Sequence, residues 1–165
     1  MKFRNTALRM QHIDSPLGRI TLAATSAGLA GLWFDAQRHW PDMTGWQPDD
    51  ADPVLQAAAA QVQDYFAGRR NNFDLPLDLS HGTAFQQAVW QALLAIPAGE
   101  TTSYGILSAR IAKPAAVRAV GAAVGRNPIS VIVPCHRVIG SNGSLTGYAG
   151  GIDRKTALLA LEGAR

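Results

Sequence analysis

A single cysteine, Cys135, stands in a chain of 165 residues. That count removes two devices that hold many small folds together, since neither an internal disulfide nor a thiolate-rich zinc site can form. Stability must come from buried apolar surface. With 47% hydrophobic residues over this length, the chain can build one domain or two small ones. The lone thiol fits a reducing compartment, and the basic stretch Met1–Met10 is followed by no apolar signal core, so a cytoplasmic location is expected. No apolar run approaches bilayer length, so no membrane association is expected. Asn142-Gly143-Ser144 matches a glycosylation acceptor that carries no weight without export.

Charge divides the chain. Residues 1–78 hold 7 basic and 9 acidic side chains, whereas residues 79–165 hold 8 and 3. From Thr101 to Ile152 there is no Asp or Glu, while Arg110, Lys113, Arg118, Arg126 and Arg137 all lie there. Such a stretch suits a polyanion, or an ordinary solvated face, and charge alone leaves both readings open.

The first half reads as strands and one helix. Met10–Ile13, Arg19–Ala24 and Leu29–Phe34 are separated by turn residues. Residues 35–52 are polar and read as loop. Pro53–Ala67 reads as a helix with Asp52 as N-cap and Gly68 as stop. Residues 69–82 read as a linker with some extended character, and a domain boundary is placed near residue 79. The second half reads as helices. Thr83-Ala84-Phe85-Gln86 is a capping box. Phe85, Val89, Trp90, Leu93 and Leu94 then share one helical stripe, which Ile96-Pro97-Ala98-Gly99 stops. A helix from near Thr102 through Ile111, a Lys113-Pro114 turn and a helix Ala115–Val124 form a helix-turn-helix pattern. A last helix spans about Asp153 to Glu162. The second helix of the pair offers one arginine among small side chains, so it could approach DNA closely but read little sequence. Gly121 and Gly125 suggest close packing into the core. Many such helix pairs merely pack, and Arg118 alone could be a plain surface arginine.

Cys135 lies in Pro134-Cys135-His136-Arg137, after the apolar run Ile129–Val133. It could be an inert buried cysteine at a strand end. Beside an imidazole and a guanidinium it is also a candidate nucleophile, reacting as its thiolate. Neighbours in an extended chain face opposite ways, so His136 is expected to reach Cys135 through a turn or a bridging water. Asn127-Pro128 can fix the turn between helix and cysteine. The glycines from Gly140 to Gly151 allow close backbone approach to a ligand, or form a surface hairpin. The histidines His12, His39, His81 and His136 show no metal-ligand spacing, so no metal is expected.

Taken in order, Gly82 to Gln86, Val89-Trp90, Ile96 to Thr101, Ser103-Tyr104-Gly105, Arg118 to Gly121, Asn127-Pro128, Ile132 to Gly140, Gly147 to Gly151 and Lys155 to Glu162 resemble the O6-alkylguanine-DNA alkyltransferases. The resemblance covers half the chain, and the first half is similar in layout only. It implies an α/β (α+β) protein of two small domains. Residues 1–78 would be a supporting antiparallel sheet plus helix, ribonuclease H-like. Residues 79–165 would be a mostly helical, winged-helix-like domain that binds DNA and accepts the alkyl group. The implied partner is double-stranded DNA containing O6-alkylguanine, chiefly O6-methylguanine and also O4-methylthymine. The protein would act as a monomer, with cooperative assembly on DNA left open, and would need no cofactor.

The resemblance also implies roles. The helix-turn-helix would enter the minor groove through Ala116, Val117, Arg118, Ala119 and Gly121, with Arg126 and Arg137 at the DNA. Arg118 would fill the space left by the flipped base. Tyr104 would rotate the phosphate and donate to the base. Cys135 would take the alkyl group, His136 its proton through water, and Glu162 would orient His136. Asn127, Val138, Tyr148, Ala149, Gly150 and Lys155 would form or brace the pocket. Carbonyls near Cys135 and Val138 would hold the exocyclic amine, and the Ala149 N–H would face O6. The thioether product makes a stoichiometric reaction. Departures are the absent N-terminal zinc cysteines, Ile106 where bacterial relatives often have an acid, and small Gly147 and Ala149, which leave room for larger alkyl groups.

Overall fold

Turn chemistry lays out a sheet in the first half of the computed structural model, which describes Phe3 and residues 8–164. Strands β1 (Arg9–Ile13), β2 (Ile20–Thr25) and β3 (Gly28–Phe34) pair antiparallel, with Ile13 opposite Ile20 and Ile20 opposite Phe34. The polar segment read as loop contributes one short strand, β4 (Gln47–Pro48), which lies parallel to β1 at the sheet edge. A proline is tolerated there because an edge position need not donate an N–H.

Helix α1 (Pro53–Phe66) begins where the Asp52 side chain accepts the Leu55 N–H at 3.0 Å, and Pro53 occupies its first turn. Its buried stripe of Leu55, Ala58, Val62 and Tyr65 shares a core with Ile20, Leu22, Leu32 and Phe34 of the sheet. The other sheet face carries Ala23, Ala30 and Trp33, covered by Phe3 and Trp46. Burial on both faces explains why β2 and β3 show no alternation of apolar and exposed polar positions.

The outer edge of β3 carries the second half. The Leu29 N–H donates to the Pro76 carbonyl and the Asp78 N–H to the Leu29 carbonyl, both at 2.8 Å. Further along, the Leu32 N–H donates to Pro128 at 2.8 Å and the Ser130 N–H to Leu32 at 3.2 Å. Linker and cysteine loop therefore dock on one strand. A single apolar core continues from the sheet into Val89, Trp90, Leu93, Leu107, Val120 and Leu158.

Helix α2 (Ala84–Leu94) opens on the reciprocal Thr83–Gln86 capping box. Thr102 and Ser103, expected inside a helix, form β5 (Thr102–Ser103). The Ser103 hydroxyl instead caps α3 (Tyr104–Arg110) by accepting the Ile106 N–H. Helix α4 (Val117–Gly125) starts two residues later than expected, because the Ala116 N–H closes a turn onto Lys113 and no side chain caps the helix earlier. The Trp90 indole N–H donates to the Ala123 carbonyl at 2.8 Å and locks α2 to α4. After a 3-10 turn at Cys135–Arg137, β6 (Val138–Ile139) pairs parallel with β5. Helix α5 (Ile152–Leu161) ends with Glu162 as its C-cap.

Candidate active site

Cys135 does not end a strand. The Ile129–Val133 run bridges β3 at Leu32, then winds into tight turns: Ile132 N–H to Ser130, Val133 N–H to Ile129 and Cys135 N–H to Val133. Val131 sits at φ 72°, a costly conformation for a β-branched residue and one that persists where surroundings impose it. The Asn127 side chain does the imposing. Its Oδ1 accepts the Ile129 N–H at 3.0 Å and its Nδ2 donates to the Val133 carbonyl at 2.7 Å. Asn127 is buried and fixes the turn between helix and cysteine, as expected, while its amide also acts on the Cys135 thiol. Because Cys135–Arg137 is a 3-10 turn, thiol and imidazole do not alternate across a strand.

His136 is fully buried, and its Nε2 lies 2.7 Å from Glu162 Oε2. Burial pushes the Glu162 carboxyl up, but hydrogen bonds from His136 and Arg137 outweigh it and hold the group at about 2. An ionised carboxylate only accepts, so Nε2 must carry the proton. Burial also pushes the His136 pKa down despite Glu162, which keeps the imidazole neutral. Its buried Nδ1 then presents a lone pair with no hydrogen-bond partner among the described residues. Burial pushes the Cys135 thiol up, against the opposing pull of the Asn127 amide and the Lys155 charge. The resting group is a thiol, so attack requires a base.

Arg137 requires a correction. Expected at DNA, it is only 6% exposed. Its Nε and Nη2 donate to Glu162 at 2.8 and 3.0 Å, and its Nη1 donates to the Ile96 carbonyl at 2.5 Å. The guanidinium thus spends its hydrogen bonds on the acid and a backbone carbonyl. Lys155 is equally buried, donating to the carbonyls of Val138 at 2.6 Å and Thr146 at 2.9 Å. It ties the glycine loop to the segment after the cysteine. The Val138 carbonyl, expected to face a base, is thereby shared with an ammonium.

A cleft of about 370 Å³ opens between the two halves, lined by Tyr104, Gly121, Arg126, Tyr148, Ala149 and His39 among others. Tyr148 is buried, and a side chain at Gly150 would strike its ring at 2.6 Å, so that glycine leaves the space the ring occupies. Burial, then the nearby Cys135, pushes the Tyr148 hydroxyl well above its ordinary value, and burial raises that of Tyr104. Both stay protonated and able to donate. Gly121 and Gly125 face this cleft rather than the core: an added side-chain carbon would meet only the Tyr104 ring at 3.8 Å at Gly121, and nothing at Gly125. Arg118 is exposed one turn earlier on the same stripe, with Val117 and Ala119 exposed beside it and Ala116 half-buried.

Two contributors escaped the sequence. Tyr65 of α1 donates to Glu162 Oε2 at 2.5 Å, and the Arg38 N–H reaches the Ala149 carbonyl at 2.8 Å. Each joins residues about a hundred positions apart, and no local signal marks them.

Comparison with known proteins gives one answer. Residues 8–79 match the family model for the ribonuclease-like domain of 6-O-methylguanine DNA methyltransferase. Residues 84–164 match the model for its DNA binding domain. The methylated-DNA–protein-cysteine methyltransferase of Mycobacterium tuberculosis is 54% identical over 93% of this chain and 91% of its own length. Its counterpart in Haemophilus influenzae is 44% identical over 95% and 87%. A crystal structure of the Mycobacterium tuberculosis OGT in complex with DNA superposes with a TM-score of 0.86, at 51% identity over 96% of this chain and 93% of that one. The chain belongs to the 6-O-methylguanine DNA methyltransferase family.

Proposed function

We propose that this protein repairs duplex DNA by moving the alkyl group of O6-alkylguanine onto its own Cys135. The substrates are chiefly O6-methylguanine, and also O4-methylthymine. One observation carries the reading: a buried thiol lies next in sequence to an imidazole whose Nε2–H is committed to an ionised Glu162, leaving Nδ1 as a base.

Residues 1–78 act as support, and residues 79–165 bind DNA and carry the chemistry. The α3–α4 pair lies in the minor groove, where Ala116, Val117, Ala119 and Gly121 present little bulk and Arg126 adds charge. The target base leaves the stack, because its O6 substituent is unreachable inside the duplex. Arg118 occupies the space it vacates. The base enters the cleft against Tyr148 and Ala149, and Tyr104, a neutral donor, hydrogen-bonds to it. The thiol proton passes through a water to His136 Nδ1 as sulfur attacks the alkyl carbon. The carbon–oxygen bond breaks, its electron pair stays on the base as a guanine anion, and that anion takes the proton back from the His136 imidazolium through water, which restores neutral guanine and the neutral imidazole. Glu162 stabilises the imidazolium that forms, and Arg137 keeps Glu162 ionised. The lesion is itself the alkyl donor, so no cofactor enters. A thioether is not hydrolysed by anything in the site, so each chain acts once, as a monomer, in the cytoplasm.

The test uses excess duplex carrying one O6-methylguanine and follows lesion loss against protein added. Loss should stop at one lesion per chain, and Cys135→Ala should lose transfer while retaining DNA binding. Continued loss beyond one per chain would identify a hydrolase instead.

A further inference from the structure

Glu162 accepts hydrogen bonds from two directions. The 3-10 turn supplies His136 Nε2 at 2.7 Å and the Arg137 guanidinium at 2.8 and 3.0 Å. The remaining donor comes from the other half of the chain, where the Tyr65 hydroxyl of α1 reaches the same oxygen as His136, Oε2, at 2.5 Å. Tyr65 is 1% exposed, and its ring packs on Phe66 and Phe73 with centroids 5.3 and 5.5 Å away. The packing of the first half therefore fixes where that hydroxyl points.

We infer that Tyr65 is a positioning residue for alkyl transfer: its hydroxyl sets how strongly Glu162 draws on the His136 N–H, and so how basic the imidazole is. This rests on His136 being the base. Donors sharing one carboxylate oxygen compete for its charge. Without the Tyr65 O–H, Oε2 leans further toward Nε2–H, the imidazolium is better stabilised and His136 holds a proton to higher pH. Other charged groups surround the pair. Arg137 faces Glu162 from the 3-10 turn, Lys155 acts on His136 from α5, and Arg69 and Arg70 lie beside Glu162 past the end of α1. Arg69 is already paired with Asp64 at 2.8 Å. Among the described residues, Tyr65 and Arg137 share Oε2 with His136, and Tyr65 alone can lose its donor without changing net charge.

The experiment is the pH–rate profile of the full chain and its Tyr65→Phe variant reacting with free O6-benzylguanine. The assay isolates transfer from DNA binding. Phenylalanine keeps the ring packing. The acid limb, where His136 must be neutral, should move up by about half a pH unit, a fraction of one charge-assisted hydrogen bond. A variant that transfers with an unmoved limb overturns the role and leaves Tyr65 as packing. A wild type with no acid limb refutes His136 as base, and the inference falls with it. If Tyr65→Phe does not fold, proton NMR of the wild type decides. A slowly exchanging, far-downfield Tyr65 hydroxyl with a cross-peak to the His136 Nε2 proton is expected, and its absence refutes the inference.

Discussion

Replacing Glu162 with Gln tests the electrostatic centre of the site through stability. The side chain is 1% exposed, so the interaction is little screened by solvent. Its carboxyl is held at about 2 against 4.5 for an ordinary glutamate. A depressed carboxyl contributes stability that is fully present above its unfolded pKa and is lost as pH falls through its folded one. That shift, at 1.36 kcal/mol per unit, corresponds to about 3 kcal/mol lost between pH 4.5 and 2. Glutamine carries no titrating proton and forgoes this contribution at every pH. Urea unfolding of wild type and Glu162→Gln across this range measures the gap directly, because the other carboxylates titrate in both chains. The gap should close by about 3 kcal/mol from pH 4.5 to 2. His136, whose folded pKa is pushed down by burial, also loses stability as pH falls from near 6.5, in a window that opens above that of Glu162. A gap that stays constant from 4.5 to 2 would refute the claim that Glu162 is an ionised, hydrogen-bonded acceptor.

Other expected outcomes follow from the same geometry. Arg137→Met should cost about 3–5 kcal/mol in unfolding experiments, because it leaves a buried carboxylate short of its partner. It should leave the salt dependence of DNA binding unchanged, whereas a slope reduced by about one would place the guanidinium on a phosphate. Arg118→Ala should slow repair in duplex by roughly tenfold or more, the scale of unstacking a base. Reaction with free O6-benzylguanine should hardly change, and equal losses would reject the space-filling role. Lys155→Met should cost about 2–3 kcal/mol by stranding two buried carbonyls, and should raise the thiol pKa measured by iodoacetamide reactivity. An unchanged reactivity profile would separate Lys155 from the thiol.

What the sequence made legible was local. Asp52-Pro53, the Thr83–Gln86 box and Gly163 mark helix ends through bonds that close within a few residues, and the structure contains them where expected. The turn residues between β1, β2 and β3 did the same for the sheet. Misplacements arose where distant contacts override local preference. Ile129–Val133 has the composition of a strand, yet the Asn127 side chain folds it into turns. Thr102 pairs with Val138 instead of joining α3.

The site divides along the same line. Cys135 and His136 are neighbours in sequence, so both stood out as candidates together. Arg137 looks from sequence like one more cation in a basic stretch. Its burial depends on Glu162 and Ile96, 25 and 41 residues away. Tyr65 lies 97 residues from the carboxylate it touches, beyond any spacing argument. The glycines of α4 read as helix-packing positions, but the neighbour that approaches Gly121 is the Tyr104 ring at the edge of a cleft.

The central claim is that Cys135 is the acceptor and is consumed. Intact mass before and after mixing with duplex containing O6-methylguanine, followed by peptide mapping, measures this directly. The account predicts the gain of one methylene's mass per chain, confined to Cys135. An unmodified Cys135 in a protein that binds the lesion tightly, or a methyl group on any other residue, would contradict it.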